Sequence, residues 1–179
     1  MNNDQKFEDF SIGDYTTFDK IWDLTIFEKF RSNSGYNNPL HHDKVYASKT
    51  SFGQPIVPLH LAISPLSAIA GMMIPGNKSL YLTNRVRAIE AVPYDKKITY
   101  SAKIVALNES NQVIDLRVLL LDKGKLLVEA EMVVQVREDV NTDWVSNYSE
   151  YHKVSTVPRP TVLVVGALGG IGQSVCYAL

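Results

Sequence analysis

The sequence predicts an α+β domain in which one long apolar helix is wrapped by a curved antiparallel sheet. Two features of the pattern lead there. The stretch from Ile56 to Ile74 is apolar nearly all round, as a helix covered on every side must be. From Leu80 onward the period changes to two, and "LYLTNRVRAIEAV", "KKITYSAKIVAL", "QVIDLRVLLLD" and "KLLVEAEMVVQVRE" read as four long strands. The turns "PYDK", "NESN" and "DKGK" lie between them, and links this short give a largely antiparallel sheet.

Ahead of the apolar stretch, "TFDKIWD" alternates as a strand. Asp23 is placed to cap a helix through "LTIFEKFRSNSG", with Leu24, Ile26, Phe27 and Phe30 on one face and Gly35 at its end. Asp43 is placed to cap a second, short helix, "DKVYASKT". Residues 139–160 are polar and without period, which predicts a linker. After them "TVLVVGALGGIGQSVCYAL" gives a strand, a glycine-rich turn and the opening of a helix.

Composition narrows the functional classes. Lys and Arg number 18 against 19 Asp and Glu, for a net charge of −1, and no basic run stands out. That balance argues against a nucleic-acid binder. Cys176 is the single cysteine, so no intrachain disulfide forms. The N-terminus "MNNDQKFEDF" has no apolar core, and the 56–74 stretch carries two prolines, a His and two serines, which suits a buried helix better than a membrane span. The expected compartment is the cytoplasm, with no membrane partner.

The most chemically loaded segment is "SGYNNPLHHD", residues 34–43. Pro39 fixes its own φ and holds Asn38 extended, while Asn37 and Asn38 are natural turn residues. Residue chemistry alone leaves two readings open: a rigid connector between helices, or half of an active site. Neighbouring His41, His42 and Asp43 are poorly placed to converge on one ion, and no metal site is expected.

The combination of "SGYNNPLHHDKVYA", then "TSFGQPIV", then a long apolar helix and a β meander resembles the MaoC-like hydratases of the hot-dog fold. That family includes the R-specific enoyl-CoA hydratases and related 3-hydroxyacyl dehydratases. Its Ser-Gly-Asp-x-Asn-Pro-x-His motif is matched by Ser34, Gly35, Asn38, Pro39 and His41, followed by Asp43, Tyr46 and Ala47. Phe52, Gly53, Pro55, Ile56 and Val57 follow at the expected distance. The match spans roughly residues 6 to 138.

The resemblance implies a hot-dog domain over residues 1–138 that binds a CoA or acyl-carrier-protein thioester and needs no cofactor. It also implies a homodimer with sheets paired edge to edge. In the family an Asp and a His hold the catalytic water, and a backbone amide at the start of the central helix bonds the thioester oxygen. Carried over, His41 is the general acid/base, Tyr36 replaces the missing carboxylate, Asn38 and Pro39 shape the catalytic loop, and Gly53, Leu59 and His60 are expected near the substrate.

Two departures matter. Tyr36 stands where the family has its Asp, and a phenol is a poor base at neutral pH. Val57, Pro58 and Leu59 replace the usual Ala-His-Gly, bringing bulk to the helix start while keeping the Leu59 N–H. The expected function is therefore hydration or dehydration of 2-enoyl or 3-hydroxyacyl thioesters in fatty-acid or polyketide metabolism. The alternative is a non-catalytic acyl-binding or dimerising hot-dog domain that has lost the catalytic Asp.

The final segment, 161–179, spaces Gly166, Gly170 and Gly172 as G-x-x-x-G-x-G between a strand and a helix. This resembles the first β-turn-α of short-chain dehydrogenases and reductases, in which the backbone about Gly166, Gly170, Ile171 and Gly172 receives the cofactor pyrophosphate. Only the beginning of such a domain is present, so the expectation is a piece of a longer hot-dog–reductase protein. NAD(P) binding is expected of a complete reductase domain and not of this fragment.

Overall fold

The structure is a computed structural model, and it describes residues 5–137. The predicted linker and the glycine-rich segment with Gly166, Gly170, Ile171 and Gly172 lie outside the described residues.

Strand β1 (Tyr15–Ile21) leads into helix α1 (Thr25–Ser34). The helix starts just after the predicted cap: Leu24 takes the N-cap position, and the Asp23 carboxylate accepts from the Thr25 N–H at 2.8 Å. Gly35 ends it with φ of 70°, a left-handed geometry that favours glycine. Helix α2 (Lys44–Ser48) is capped as expected by Asp43, which accepts from the N–H groups of Val45 and Tyr46. The Tyr46 N–H first among these bonds holds the Asp43 carboxyl below its usual range.

The apolar stretch is not one helix from Ile56 to Ile74. Ile56–Val57 forms a short strand, β2, and the helix begins only at Leu59. It then runs as α3 (Leu59–Ala62), α4 (Leu66–Ala68) and a wider turn over Ile69–Met73, where the Ile74 N–H reaches back to the Ile69 carbonyl at 2.8 Å. Pro65 explains the break between α3 and α4, because it has no N–H for the helical ladder. The Ser64 hydroxyl takes up the Leu61 carbonyl instead, at 2.8 Å.

Strand β3 (Ser79–Ala88) precedes a short β4 (Val92–Pro93), and β5 (Lys97–Asn108), β6 (Val113–Asp122) and β7 (Lys125–Val136) follow. Among the described residues the main sheet has the order β1-β5-β6-β7-β3, every pair antiparallel. The four predicted long strands are present, but β3 does not lie beside the next one. It crosses to the far edge against β7, and β4 peels away to pair with β2. The β6–β7 hairpin turns on Lys123 and Gly124, both at positive φ, the geometry that matches strand twist.

Alternation along β5, β6 and β7 places Ile98, Tyr100, Ala102, Ile104, Ile114, Leu116, Val118, Val128, Ala130, Met132 and Val134 on the buried face. They pack on Leu61, Leu66, Ile69, Ala70 and Met73 of the helical segment, so the sheet wraps the helix as predicted. On the outer face the Glu129 carboxylate lies between Arg117 and Arg87. Hydrogen bonds first from Arg117 and then from Arg87 hold its carboxyl below the usual range.

A buried polar link ties sheet to helix. The buried Tyr100 hydroxyl donates to the Ala62 carbonyl at 2.6 Å and accepts from Trp22 Nε1–H at 3.0 Å. Burial pushes this phenol's pKa up. Tyr100→Phe leaves both partners buried without a bond, so the expected cost is about 1–3 kcal/mol in urea unfolding. An unchanged unfolding midpoint would show that the link contributes nothing.

Candidate active site

The loop from Gly35 to Asp43 is built by local hydrogen bonds. Ser34 Oγ donates to the Phe30 carbonyl and accepts from the Tyr36 N–H at 3.2 Å, which folds the chain back over the end of α1. The Tyr36 ring then stands edge-on to Phe30, centroids 6.1 Å apart. Asn37 accepts from Arg31, and Asn38 Oδ1 accepts from the Leu40 N–H at 3.0 Å, capping a 3₁₀ turn over Pro39–His41. Pro at the first position of that turn costs no hydrogen bond, because its N–H would have no partner there.

The turn drives His41 inward until it is 7% exposed. Its Nδ1 lies 2.7 Å from the Ile56 carbonyl oxygen, and its Nε2 lies 3.0 Å from the Tyr36 hydroxyl. A carbonyl only accepts, so Nδ1 carries the proton in the neutral ring. Nε2 is then the acceptor, and the Tyr36 O–H donates to it. Pro93, paired opposite Ile56 in the β2–β4 ladder, has no N–H to compete for the Ile56 carbonyl.

His42 turns the other way and stacks on the fully buried Phe27, centroids 5.0 Å apart. Its buried Nε2 has no hydrogen-bond partner among the described residues.

Tyr36 and His41 face a cavity of about 880 Å³. Phe30, Phe52, Ile56, Val57, Leu59 and Val128 give it an apolar wall, broken by Tyr36, His41, His60 and Glu90. Pro58 and Leu59 start α3 at the cavity, and the N–H groups of this first turn have no partner within the helix.

Of the residues singled out in the sequence, the fold gathers Tyr36, His41, Leu59 and His60 at this cavity. Asn38 and Pro39 shape the turn behind it, with the Asn38 amide spent on the Leu40 N–H. Gly53 lies off it, in a smaller hollow beside Tyr94 and Lys44. Its φ of 69° gives it a backbone role in the turn after Thr50.

The sequence reading missed the opposite wall, the segment Ala88–Val92 with Val128. Glu90 brings a carboxylate to that wall, already paired with Lys125 at 2.7 Å. Nothing local marks these residues, because only the crossing of β3 to β7 brings them there. Among the described residues no group of three His, Cys, Asp or Glu side chains is disposed to hold a metal. No described helix is long and apolar enough to cross a membrane.

Fold and cavity together define a hot-dog domain with a buried His on the wall of an apolar chamber. The chain is 32% identical over 100 residues to the (R)-specific enoyl-CoA hydratase of Aeromonas caviae, covering 55% of this chain and 75% of that protein. The corresponding hydratase of Rhodospirillum rubrum is 25% identical over 130 residues, covering 73% of this chain and 90% of its own. The solved (R)-hydratase of A. caviae, described as involved in PHA biosynthesis, superposes with a TM-score of 0.68 at 28% identity, over 71% of this chain and 97% of that one. No family model matches the chain. The chain belongs to the MaoC-like (R)-specific enoyl-CoA hydratase family.

Asn38→Ala removes the cap of the turn that presents His41, at an expected cost of about 1 kcal/mol in urea unfolding. A loss of ligand binding with unchanged stability would instead place Asn38 in contact with the ligand.

Proposed function

We propose that this domain adds water reversibly to a 2-enoyl thioester, or removes it from the 3-hydroxyacyl thioester. The observation that carries the reading is the His41 ring, buried and fixed by the Ile56 carbonyl in the tautomer whose basic nitrogen meets the Tyr36 hydroxyl at the wall of an apolar cavity. A cavity of this size and lining suits an acyl chain with a few polar groups to orient its head. Hydration needs a base for the water's proton and a donor for the thioester oxygen, where charge builds. His41 supplies the base, the Leu59 N–H at the start of α3 supplies the donor, and no cofactor is required.

The substrate head is a CoA or acyl-carrier thioester, by analogy with the hydratase relatives. The outer edge of β3, with Leu80 and Leu82 exposed, supports an edge-to-edge homodimer.

One observation favours a second reading, a non-catalytic acyl-binding domain. The Tyr36 hydroxyl sits on the nitrogen that the reaction needs, in place of the family carboxylate.

The test is consumption of a short trans-2-enoyl-CoA, followed by loss of its conjugated-thioester absorbance, beside His41→Ala. Turnover that the variant lowers by about 100-fold or more is expected. No turnover from the folded wild-type chain, on CoA or carrier-linked substrates, gives the site to the binding-domain reading.

A further inference from the structure

Both nitrogens of the His41 ring are occupied. Nδ1 donates to the Ile56 carbonyl at 2.7 Å, and the single in-plane lone pair of Nε2 receives the Tyr36 hydroxyl at 3.0 Å. That second contact is direct, with no room for a water between the two atoms. Both residues line the cavity, but His41 is 7% exposed and Tyr36 38%, and Oη covers the one lone pair of Nε2. A water in the cavity therefore meets Tyr36 Oη before it meets the imidazole.

We propose that the Tyr36 hydroxyl is the group that exchanges protons with the water and with the substrate α-carbon, while His41 stores the proton behind it. The inference rests on the hydratase reading given above. In the hydration direction the water's O–H bond breaks and its proton bonds to Oη. In the same motion the phenol's own proton passes to Nε2, leaving an imidazolium. The water oxygen bonds to the β-carbon, and the π pair moves toward the thioester oxygen as an enolate. The α-carbon then takes a proton from Oη, and Oη recovers one from Nε2. One water has been added, and both side chains end as they began.

This arrangement answers the difficulty of the missing carboxylate. A phenol alone would have to become a phenolate or a protonated phenol to act as base, and neither is accessible near neutral pH. Coupled to an imidazole, Oη gives up one proton as it gains another, so the charge appears on His41. The imidazolium then donates to Oη, so the proton that Oη gives to the α-carbon is replaced as it leaves. Tyr36 is the catalytic residue in this scheme, and His41 is a positioning residue that acts through it.

The test compares wild type with Tyr36→Phe on a short trans-2-enoyl-CoA, in mixtures of H₂O and D₂O. The ring and its contact with Phe30 are kept, so the fold is preserved. The expected result is a fall in kcat of about 100-fold or more, with KM changed by less than about threefold. The wild-type rate should fall along a curve as the deuterium fraction rises, because two protons move together. The residual rate of the variant should fall along a straight line. An active wild type with Tyr36→Phe within about threefold in kcat overturns the inference and leaves the hydratase reading standing. A wild type without turnover overturns both.

Discussion

The hydrogen bond between His41 Nδ1 and the Ile56 carbonyl is the constraint on which the site depends. It joins the loop after α1 to strand β2, just ahead of α3. It also decides the chemistry of the ring, because a carbonyl oxygen can only accept. The tautomer, the plane of the imidazole and the direction of the lone pair that receives the Tyr36 hydroxyl follow from that one contact. The Ile56 carbonyl is in turn held by the β2–β4 pair, in which Pro93 offers it no competing donor.

The rest of the domain serves this arrangement by keeping two walls at a fixed spacing. One wall is the loop and the first turn of α3. The other is the end of β3 with Val128 of β7. Buried residues of β5, β6 and β7 pack on the helical segment between them, and the Tyr100 hydroxyl pins the carbonyl of Ala62 to the sheet. The broken helix matters here. Pro65 divides the helical segment, so α3 is a single turn whose start can sit at the cavity while later residues fill the core.

Much of this was legible from local chemistry. Gly35 as the end of α1, Asp43 as the cap of α2 and the four long strands all depend on neighbours in sequence, and the sequence shows neighbours. The helix over 56–74 was read too long. Uniform apolarity does not distinguish a strand pair from a helix start, and Ile56–Val57 becomes a strand only because Val92–Pro93 comes to it. The far wall of the cavity was invisible for the same reason, since β3 reaches β7 across the whole sheet. Tyr36 and His41 were both readable as candidates. Their direct contact was not, because it depends on the Ser34 hydroxyl folding the chain back at Gly35.

The site works only if the protein fixes His41 as the Nδ1–H tautomer with Nε2 receiving the Tyr36 hydroxyl. The most direct measurement is the pair of ¹⁵N chemical shifts of the neutral His41 ring, read by long-range proton–nitrogen correlation. The expected result is a protonated, pyrrole-like Nδ1 and an unprotonated, pyridine-like Nε2. A pyrrole-like Nε2, or two equal shifts from a ring that exchanges freely between tautomers, would contradict it.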